Sequence, residues 1–518
     1  MITRRALIGA GSAAVGLAVL PTSPVLAGSG SGSGYGSGSG SGSGSTPWST
    51  LAGKLQGRLV LPTDSAYAVA KQLELGQFDA VNPRAVAYCV SSADVSAALC
   101  FAQTYGLPSA VRSGGHSFAG YSTTPGLIID VSRLNAITVS NGTVDIGPGA
   151  KNVEILNALA PHGLVVSEGG CPTVSAGGFL QGGGFGFLTR PLGMACDAIT
   201  SAEVVLADGR VVTASPTSHS DLFWAIRGGG GGNFGVVTRF TVTPHEGDQM
   251  AISNLIFPYD RAADVLHGVG QWLVDAPRTI GGGAYLVQAD AAPGTVPALN
   301  VFLASRGTPA ELASESARLL SLTGAVTARQ DAVMTYQQVM MMIFGCGTLT
   351  EDQCQRAGKS PNGVLTRPAF GLERTRMGST PYAQSGWADV LTAFDADRRA
   401  GQARYLDLHF FGGAANDPAR TDTAYVHRDS LFSVNYRVLV NDPAQVTAEA
   451  RSVATGWIDN GFATIDPLSN GETYQNWMDA ELTDWRQSYY AENYARLSVV
   501  KAKYDPHRYF RFAQGIGA

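Results

Sequence analysis

The 518-residue sequence predicts an α+β fold of two domains, with a last segment that turns back onto the first. Three observations carry this. From Ala85 the text AVAYCV, SADVSAALCFAQTYG and SAVRSGG reads as strand, helix, strand. Ser91 or Ser92 stands where a helix cap is needed, and Gly106 where the helix must stop. Beyond about Pro244 the glycine clusters thin out, and strands alternate with longer helices down to Asp466. Finally, DWRQSYYAENYARLSVVKAKYDPHRYFRFAQ is an aromatic, helical stretch expected to pack against the first domain. The boundaries are residues 47–245 for the first domain, 246–466 for a second, substrate-facing domain, and 467–518 for the returning segment. The length is more than one hydrophobic core organises.

The first 27 residues are read as a targeting segment and not as fold. Arg4 and Arg5 precede an apolar stretch ending near Leu20, and Val25 and Ala27 suit a signal peptidase. The arginine pair followed by Leu7 resembles a twin-arginine signal, which exports chains already folded. An exported protein, extracellular or in the cell envelope, is therefore expected, and so is a cofactor loaded before export. Residues 28–46 are almost pure Gly and Ser, a flexible tether.

After the first strand-helix-strand unit, GLIIDVS and TVDIGPG read as strands and KNVEILNALAPHG as a helix. TSAEVVLADGRVVTAS is a hairpin turning on Asp208-Gly209, and DLFWAIRGGGGGNFGVVTRFTVTP runs from a helix through a glycine run into a strand. No second apolar run is long enough to span a membrane. The net charge of −5, with 15% charged residues, supplies no basic face for nucleic acid. The six cysteines include no CxxC pair, so neither zinc nor any other metal is expected. Cys346 and Cys354 are close enough in sequence to bridge in an oxidising compartment, and Cys89 and Cys100 read as buried small hydrophobes.

Three glycine-rich loops, at 113–120, 169–186 and 228–235, suit a diphosphate cradled by backbone N–H groups. The run GGGGGN follows a helix and precedes a strand, the reverse of the dinucleotide-binding order, which argues against a nicotinamide cofactor. Four segments, RSGGHSFAGYS, EGGCPTVSAGGFLQGGGFGFLTRPLGMACD, FWAIRGGGGGNFGVVT and YYAENYARLSVVKAKYDPHRYFR, occur in order. Together they resemble the berberine bridge enzyme-like (BBE-like) family of FAD-linked oxidases, of the vanillyl-alcohol-oxidase or PCMH-type superfamily, in its bacterial antibiotic- or carbohydrate-oxidising branch. The resemblance runs from about Trp48 to the end. It implies a PCMH-type FAD-binding domain of two α/β subdomains at 47–245. It also implies a substrate domain built on an antiparallel sheet with helices at 246–466, and a berberine-type segment at 467–518 that completes the FAD domain.

The resemblance further implies FAD bonded twice to the chain, by His116 at the 8α-methyl and Cys171 at C6. Arg112, Ser113, Gly114, Gly115, Ser117, Gly120, Gly177, Gly183, Gly186, Asn233, Gly235 and Val237 are then expected along the cofactor, with Tyr489 and Asn493 closing it from the C-terminal side. The chemistry implied is hydride transfer from a carbinol, a secondary alcohol or sugar hydroxyl of a carbohydrate or secondary metabolite, to flavin N5, with dioxygen reduced to hydrogen peroxide.

For the base that takes the hydroxyl proton, SNGETYQNWMDAEL resembles the family's Y-x-N-Y-x-D segment and makes Tyr474 the first candidate; Trp477 departs from the second tyrosine. RYLDLHFF alternates as a strand that projects Tyr405, Asp407 and His409 to one face; it resembles strands of the family that face the flavin with an acidic or amide residue, which makes Asp407 the second candidate and His409 the third. Phe185 stands where some relatives carry a tyrosine. Arg374 and Arg376 alternate on a strand and are expected to pair at the surface. Oxidative ring closure, amine oxidation, electron transfer to a partner and non-catalytic metabolite binding remain alternatives, the last disfavoured by the presence of both His116 and Cys171.

Overall fold

The computed structural model describes residues 46–247 and 249–518, so the signal and tether expectations fall outside the described residues. Four strands, β1 (Arg58–Val60), β2 (Ala85–Tyr88), β3 (Ser109–Arg112) and β4 (Leu127–Asp130), form the first sheet in the order β1-β2-β4-β3. β2, β4 and β3 run parallel, joined across the helix Ser92–Thr104. Ser91 caps that helix, its hydroxyl accepting from the Asp94 N–H at 3.2 Å. Gly106, at φ +58°, ends it. Cys89 is buried, but Cys100 is exposed, against expectation. The helix turns Val95, Ala98, Leu99 and Ala102 inward, which leaves Cys100 on the solvent side.

The second sheet is antiparallel in the order β5-β6-β10-β8-β9, from β5 (Ile137–Ser140), β6 (Thr143–Ile146), β8 (Ile199–Val205), β9 (Val211–Ala214) and β10 (Val236–Val242). The turn between β8 and β9 passes through Gly209 at φ +83°. A short pair, β7 (Leu164–Val165) with β11 (His245–Glu246), closes this part of the chain. Its core also takes in Trp485, Tyr489, Tyr490, Leu497, Val500, Tyr504 and Ile516, so the C-terminal helices pack with Val144, Phe223 and Phe240.

A seven-stranded antiparallel sheet carries the middle of the chain. Its strands are β12 (Gln249–Phe257), β13 (Ile280–Gln288), β14 (Ala298–Ser305), β15 (Ala328–Thr335), β16 (Phe370–Gly378), β17 (Ala403–Phe410) and β18 (Phe432–Val440), in the order β15-β12-β14-β13-β17-β18-β16. The helices Ala262–Leu273, Pro309–Thr323, Gln384–Asp395 and Ala448–Ile465 bury one face of it through Trp272, Leu319, Trp387, Phe394 and Trp457. The other face fronts the first half of the molecule. Because side chains alternate along a strand, polar residues at alternate positions of β16, β17 and β18 converge on that second face. The molecule is thus a mixed α+β structure whose antiparallel sheets are backed by helices. Among the described residues no helix is long and apolar enough to cross a membrane.

Candidate active site

Between the glycine loops and the open face of the seven-stranded sheet lies a cavity of about 1380 Å³. A drug-sized ligand needs about 300–1,000 Å³, so this one has room for a large cofactor and a substrate together. His116, on the loop after β3, and Cys171, on the loop after β7, both line it. The Thr173 hydroxyl lies 3.1 Å from His116 Nε2 and 3.7 Å from Cys171 Sγ. Glu74 Oε2 sits 3.7 Å from the same Nε2 and is paired with Arg356 at 3.0 Å. Burial pushes the His116 ring below the usual imidazole range, which favours the neutral form that acts as a nucleophile. Burial and the Glu74 charge push the Cys171 thiol up, opposed by the N–H and hydroxyl of Thr173 and the N–H of Val174.

The fit of a flavin dinucleotide can be tested on the glycines. At Gly178 and Gly232, a Cβ would meet no protein atom within 4 Å and would project into the cavity. Gly177 and Gly114, by contrast, let two loops touch, since a Cβ there would come within 2.8 Å of Ser113 Oγ and 3.0 Å of Ser175 N. Among the described residues the backbone N–H groups of 114–117 have no protein acceptor, as a diphosphate site requires. Tyr121 and Phe512 stack at 5.0 Å near the far end of the cavity, a platform for a planar ring. The residues present fit FAD.

Of the residues expected along the cofactor, Ser113, Gly114, Gly115, Ser117, Gly120, Gly177, Gly186, Gly235 and Val237 line the cavity. The others stand behind it. Arg112 is buried in an ion pair with Asp130 at 2.6 Å and a bond to the Ala70 carbonyl. Gly183 packs on Tyr425, where a Cβ would come within 2.8 Å of the ring. Asn233 closes the glycine run on itself through the Gly229 and Gly230 carbonyls. The Tyr489 hydroxyl accepts from the Asp479 N–H, and Asn493 holds the carbonyls of Arg420, Thr423 and Ala424. The last two are corrected from cofactor contacts to internal props.

The open sheet face supplies the ionisable groups. Register sets Glu373 of β16 and Tyr405 of β17 on either side of Arg437 in β18, and Tyr285 of β13 beside Asp407. Arg437 Nη2 donates to Asp407 Oδ2 at 2.9 Å and its guanidinium lies over the Tyr405 ring at 4.5 Å. Asp407 Oδ1 and Glu373 Oε2 have no protein partner. Burial lifts the Asp407 carboxyl to about 6 against the pull of Arg437, and lifts Glu373 to about 7. His409 is pushed down to about 3 by burial and Arg437, so it stays neutral and too weak a base near pH 7.

Tyr474 lines the cavity, but its hydroxyl is turned into the wall. The oxygen accepts from the Gly184 N–H at 2.8 Å and from Asn476 Nδ2 at 2.9 Å, and burial holds the phenol well above its usual range. The two donors favour the phenolate, but burial outweighs them and keeps the phenol neutral near pH 7, without the charge that would take a substrate proton. Tyr474→Phe is expected to cost about 1–3 kcal/mol by stranding those two donors, yet to change kcat by less than about tenfold; urea unfolding beside steady-state kinetics reads both. Phe185 and Trp477, 4.9 Å apart, wall the cavity around His409 with aromatic edges.

Sequence reasoning missed Glu373, Arg437, Tyr285, Thr173 and Glu74. Arg437 and Asn435 carry a signal, as two polar residues alternating inside the apolar strand FSVNYRVLV. Arg374 and Arg376 do pair: Arg374, half-buried, with the exposed Asp459 at 2.9 Å and with Asp479 at 2.7 Å, and Arg376, itself 3% exposed, with the exposed Asp466 at 2.7 Å. Both face away from the cavity. Cys346 and Cys354 form a disulfide in the loop that borders it.

Comparison with known proteins agrees with this geometry. Residues 83–215 match the FAD binding domain family, and residues 473–517 match the berberine and berberine-like family. The chain is 30% identical over 476 residues to aclacinomycin-N/aclacinomycin-A oxidase of Streptomyces galilaeus, covering 83% of this chain and 84% of that protein. The chain belongs to the BBE-like family of FAD-linked oxidases. As a BBE-like fold it superposes on Physcomitrella patens BBE-like 1 with a TM-score of 0.80 at 23% identity, over 90% of this chain and 98% of that one. A glucooligosaccharide oxidase from Acremonium strictum, which carries a 6-S-cysteinyl, 8α-N1-histidyl FAD, matches with a TM-score of 0.78 at 22% identity, over 91% and 99% of the two chains. This BBE-like chain is accordingly an FAD-linked oxidoreductase.

Proposed function

We propose that this flavoprotein is an exported oxidase that takes a hydride from a substrate carbinol, a secondary alcohol or a sugar hydroxyl, and passes the electrons to dioxygen to form hydrogen peroxide. FAD is held by two bonds, through His116 and Cys171. The observation that carries the reading is the convergence of His116, Cys171 and the unpartnered Asp407 Oδ1 on one cavity. When bound, FAD supplies the two-electron acceptor.

The chain's own residues do the rest. Asp407 is the base: it keeps an unpartnered carboxylate oxygen, its acidity falls near working pH, and Arg437 at 2.9 Å favours its ionised form, whereas Glu373, raised to about 7, holds its proton to higher pH. Arg437 orients its carboxylate, and Phe185, Trp477 and His409 exclude water around the reacting carbon. By their names the relatives are an oxidase of aclacinomycin and an oxidase of glucooligosaccharides, which supports a hydroxyl-bearing compound such as an oligosaccharide as the substrate class. The Cys346–Cys354 disulfide supports residence in an oxidising compartment.

The test is a panel of oligosaccharides and glycosylated secondary metabolites followed by oxygen electrode and peroxide assay. Oxygen uptake matched one to one by peroxide is expected. Reduction of an artificial acceptor without oxygen uptake would replace the oxidase with a dehydrogenase.

A further inference from the structure

The position of Thr173 makes a demand on both attachment residues at once. A hydroxyl has one proton to give and two lone pairs to offer. Its oxygen lies 3.1 Å from His116 Nε2 and 3.7 Å from Cys171 Sγ. With the ring proton held at Nε2, on the edge that Glu74 faces, the hydroxyl accepts that proton and donates its own to sulfur. We propose that Thr173 is the positioning residue for both covalent bonds to FAD, fixing the His116 lone pair on Nδ1 while its hydroxyl orients the Cys171 sulfur.

The inference rests on the reading that FAD is bonded to both residues. It is supported by surroundings that act in the same sense. Glu74 Oε2, 3.7 Å from His116 Nε2 and anchored by Arg356, faces the same ring edge as Thr173. A proton held at Nε2 leaves Nδ1 as the nucleophile. At the sulfur, the Thr173 hydroxyl at 3.7 Å is the side-chain partner of Cys171.

The two steps balance with dioxygen as the oxidant. At the histidine, the Nδ1–C bond forms and a C–H bond of the 8α-methyl breaks; the Nε2 proton passes toward Thr173 and Glu74. At the cysteine, the S–C6 bond forms, and the thiol proton and the C6 hydrogen leave. Each step releases two electrons and two protons, which reduce one dioxygen to one hydrogen peroxide.

The experiment uses the full chain expressed with ample riboflavin as wild type, Thr173→Val, Thr173→Ala and Thr173→Ser. The readouts are intact mass after acid denaturation, and peptide mapping after alkylation of free thiol. Valine is nearly the shape of threonine without its hydroxyl, and alanine guards against a variant that misfolds. In the wild type, both the His116 and the Cys171 peptides should carry flavin. In the hydroxyl-free variants that still bind FAD, Cys171 should be recovered alkylated, and the Cys171 bond should form at least roughly tenfold more slowly. Thr173→Ser should restore both bonds. A hydroxyl-free variant doubly bonded at the wild-type rate, or a serine variant that binds FAD but forms neither bond, overturns the role of Thr173. A wild-type chain with no attached flavin instead overturns the bicovalent reading beneath it.

Discussion

Asp407→Asn is expected to lower kcat by about 10³-fold while the protein stays yellow with its flavin attached. The amide has the shape of the carboxylate and still offers Arg437 an oxygen, so the sheet face keeps its packing. What it loses is the capacity to take a proton. In the wild type the ionised carboxylate is the working form, and burial has raised its pKa to about 6. The sign follows directly: kcat/KM should be level above that value and fall as pH drops through about 6. Arg437 pulls the same pKa down, so Arg437→Met should move the acid limb to higher pH, and a pH profile on both proteins reads the shift. Glu373, raised to about 7 by burial and by the Asp407 charge, rounds the limb by titrating in the same range. A residual kcat within tenfold for Asp407→Asn would remove Asp407 from the proton transfer.

The residues of the site were legible in the sequence to different depths. The glycine loops could be read because close backbone approach restricts residue type, and His116 and Cys171 because the motifs around them resemble those of the BBE-like family. The RYLDLHFF alternation likewise put Asp407 and His409 on one face. Glu373 and Arg437 could not be found that way, since their meeting depends on the register of β16, β18 and β17, three strands that local patterning does not align. Tyr474 shows the converse. The local motif located the residue in the cavity wall, but the direction of its hydroxyl was decided by Gly184, almost three hundred residues away in sequence. Arg112, Asn233 and Asn493 were drawn toward the cofactor by motif membership, although their side chains support the loops from behind. Proximity in a motif identifies the loop, and burial partners decide which of its residues touch the ligand.

Lys501→Met is expected to destabilise the protein by about 3–5 kcal/mol, because it strands a buried carboxylate. Lys501 is 2% exposed, and its ammonium donates to Asp505 Oδ2 at 2.7 Å, to the Asn233 carbonyl at 2.6 Å and to the Phe510 carbonyl at 2.5 Å. All three protons are used. Asp505 is fully buried and also receives the Tyr509 and Phe510 N–H groups, which cannot replace the missing charge. Against a total of about 5–15 kcal/mol for a folded chain, the loss is a large fraction. It also acts at a distance on the site. Asn233 ties the run that offers Gly231 and Gly232 to the cavity, and its Oδ1 accepts the Ile516 N–H, so the C-terminal segment and the glycine loop share one knot. A lower urea midpoint should therefore come with a reduced yield of flavin-bearing chain, a coupling not expected of Asp407→Asn. Lys503→Met is the matched control, since Lys503 pairs with Asp221 on the surface two residues away and its loss should leave both readouts nearly unchanged. Equal effects from the two lysines would mean that the knot at Asn233 does not join the C-terminal segment to the cofactor loop.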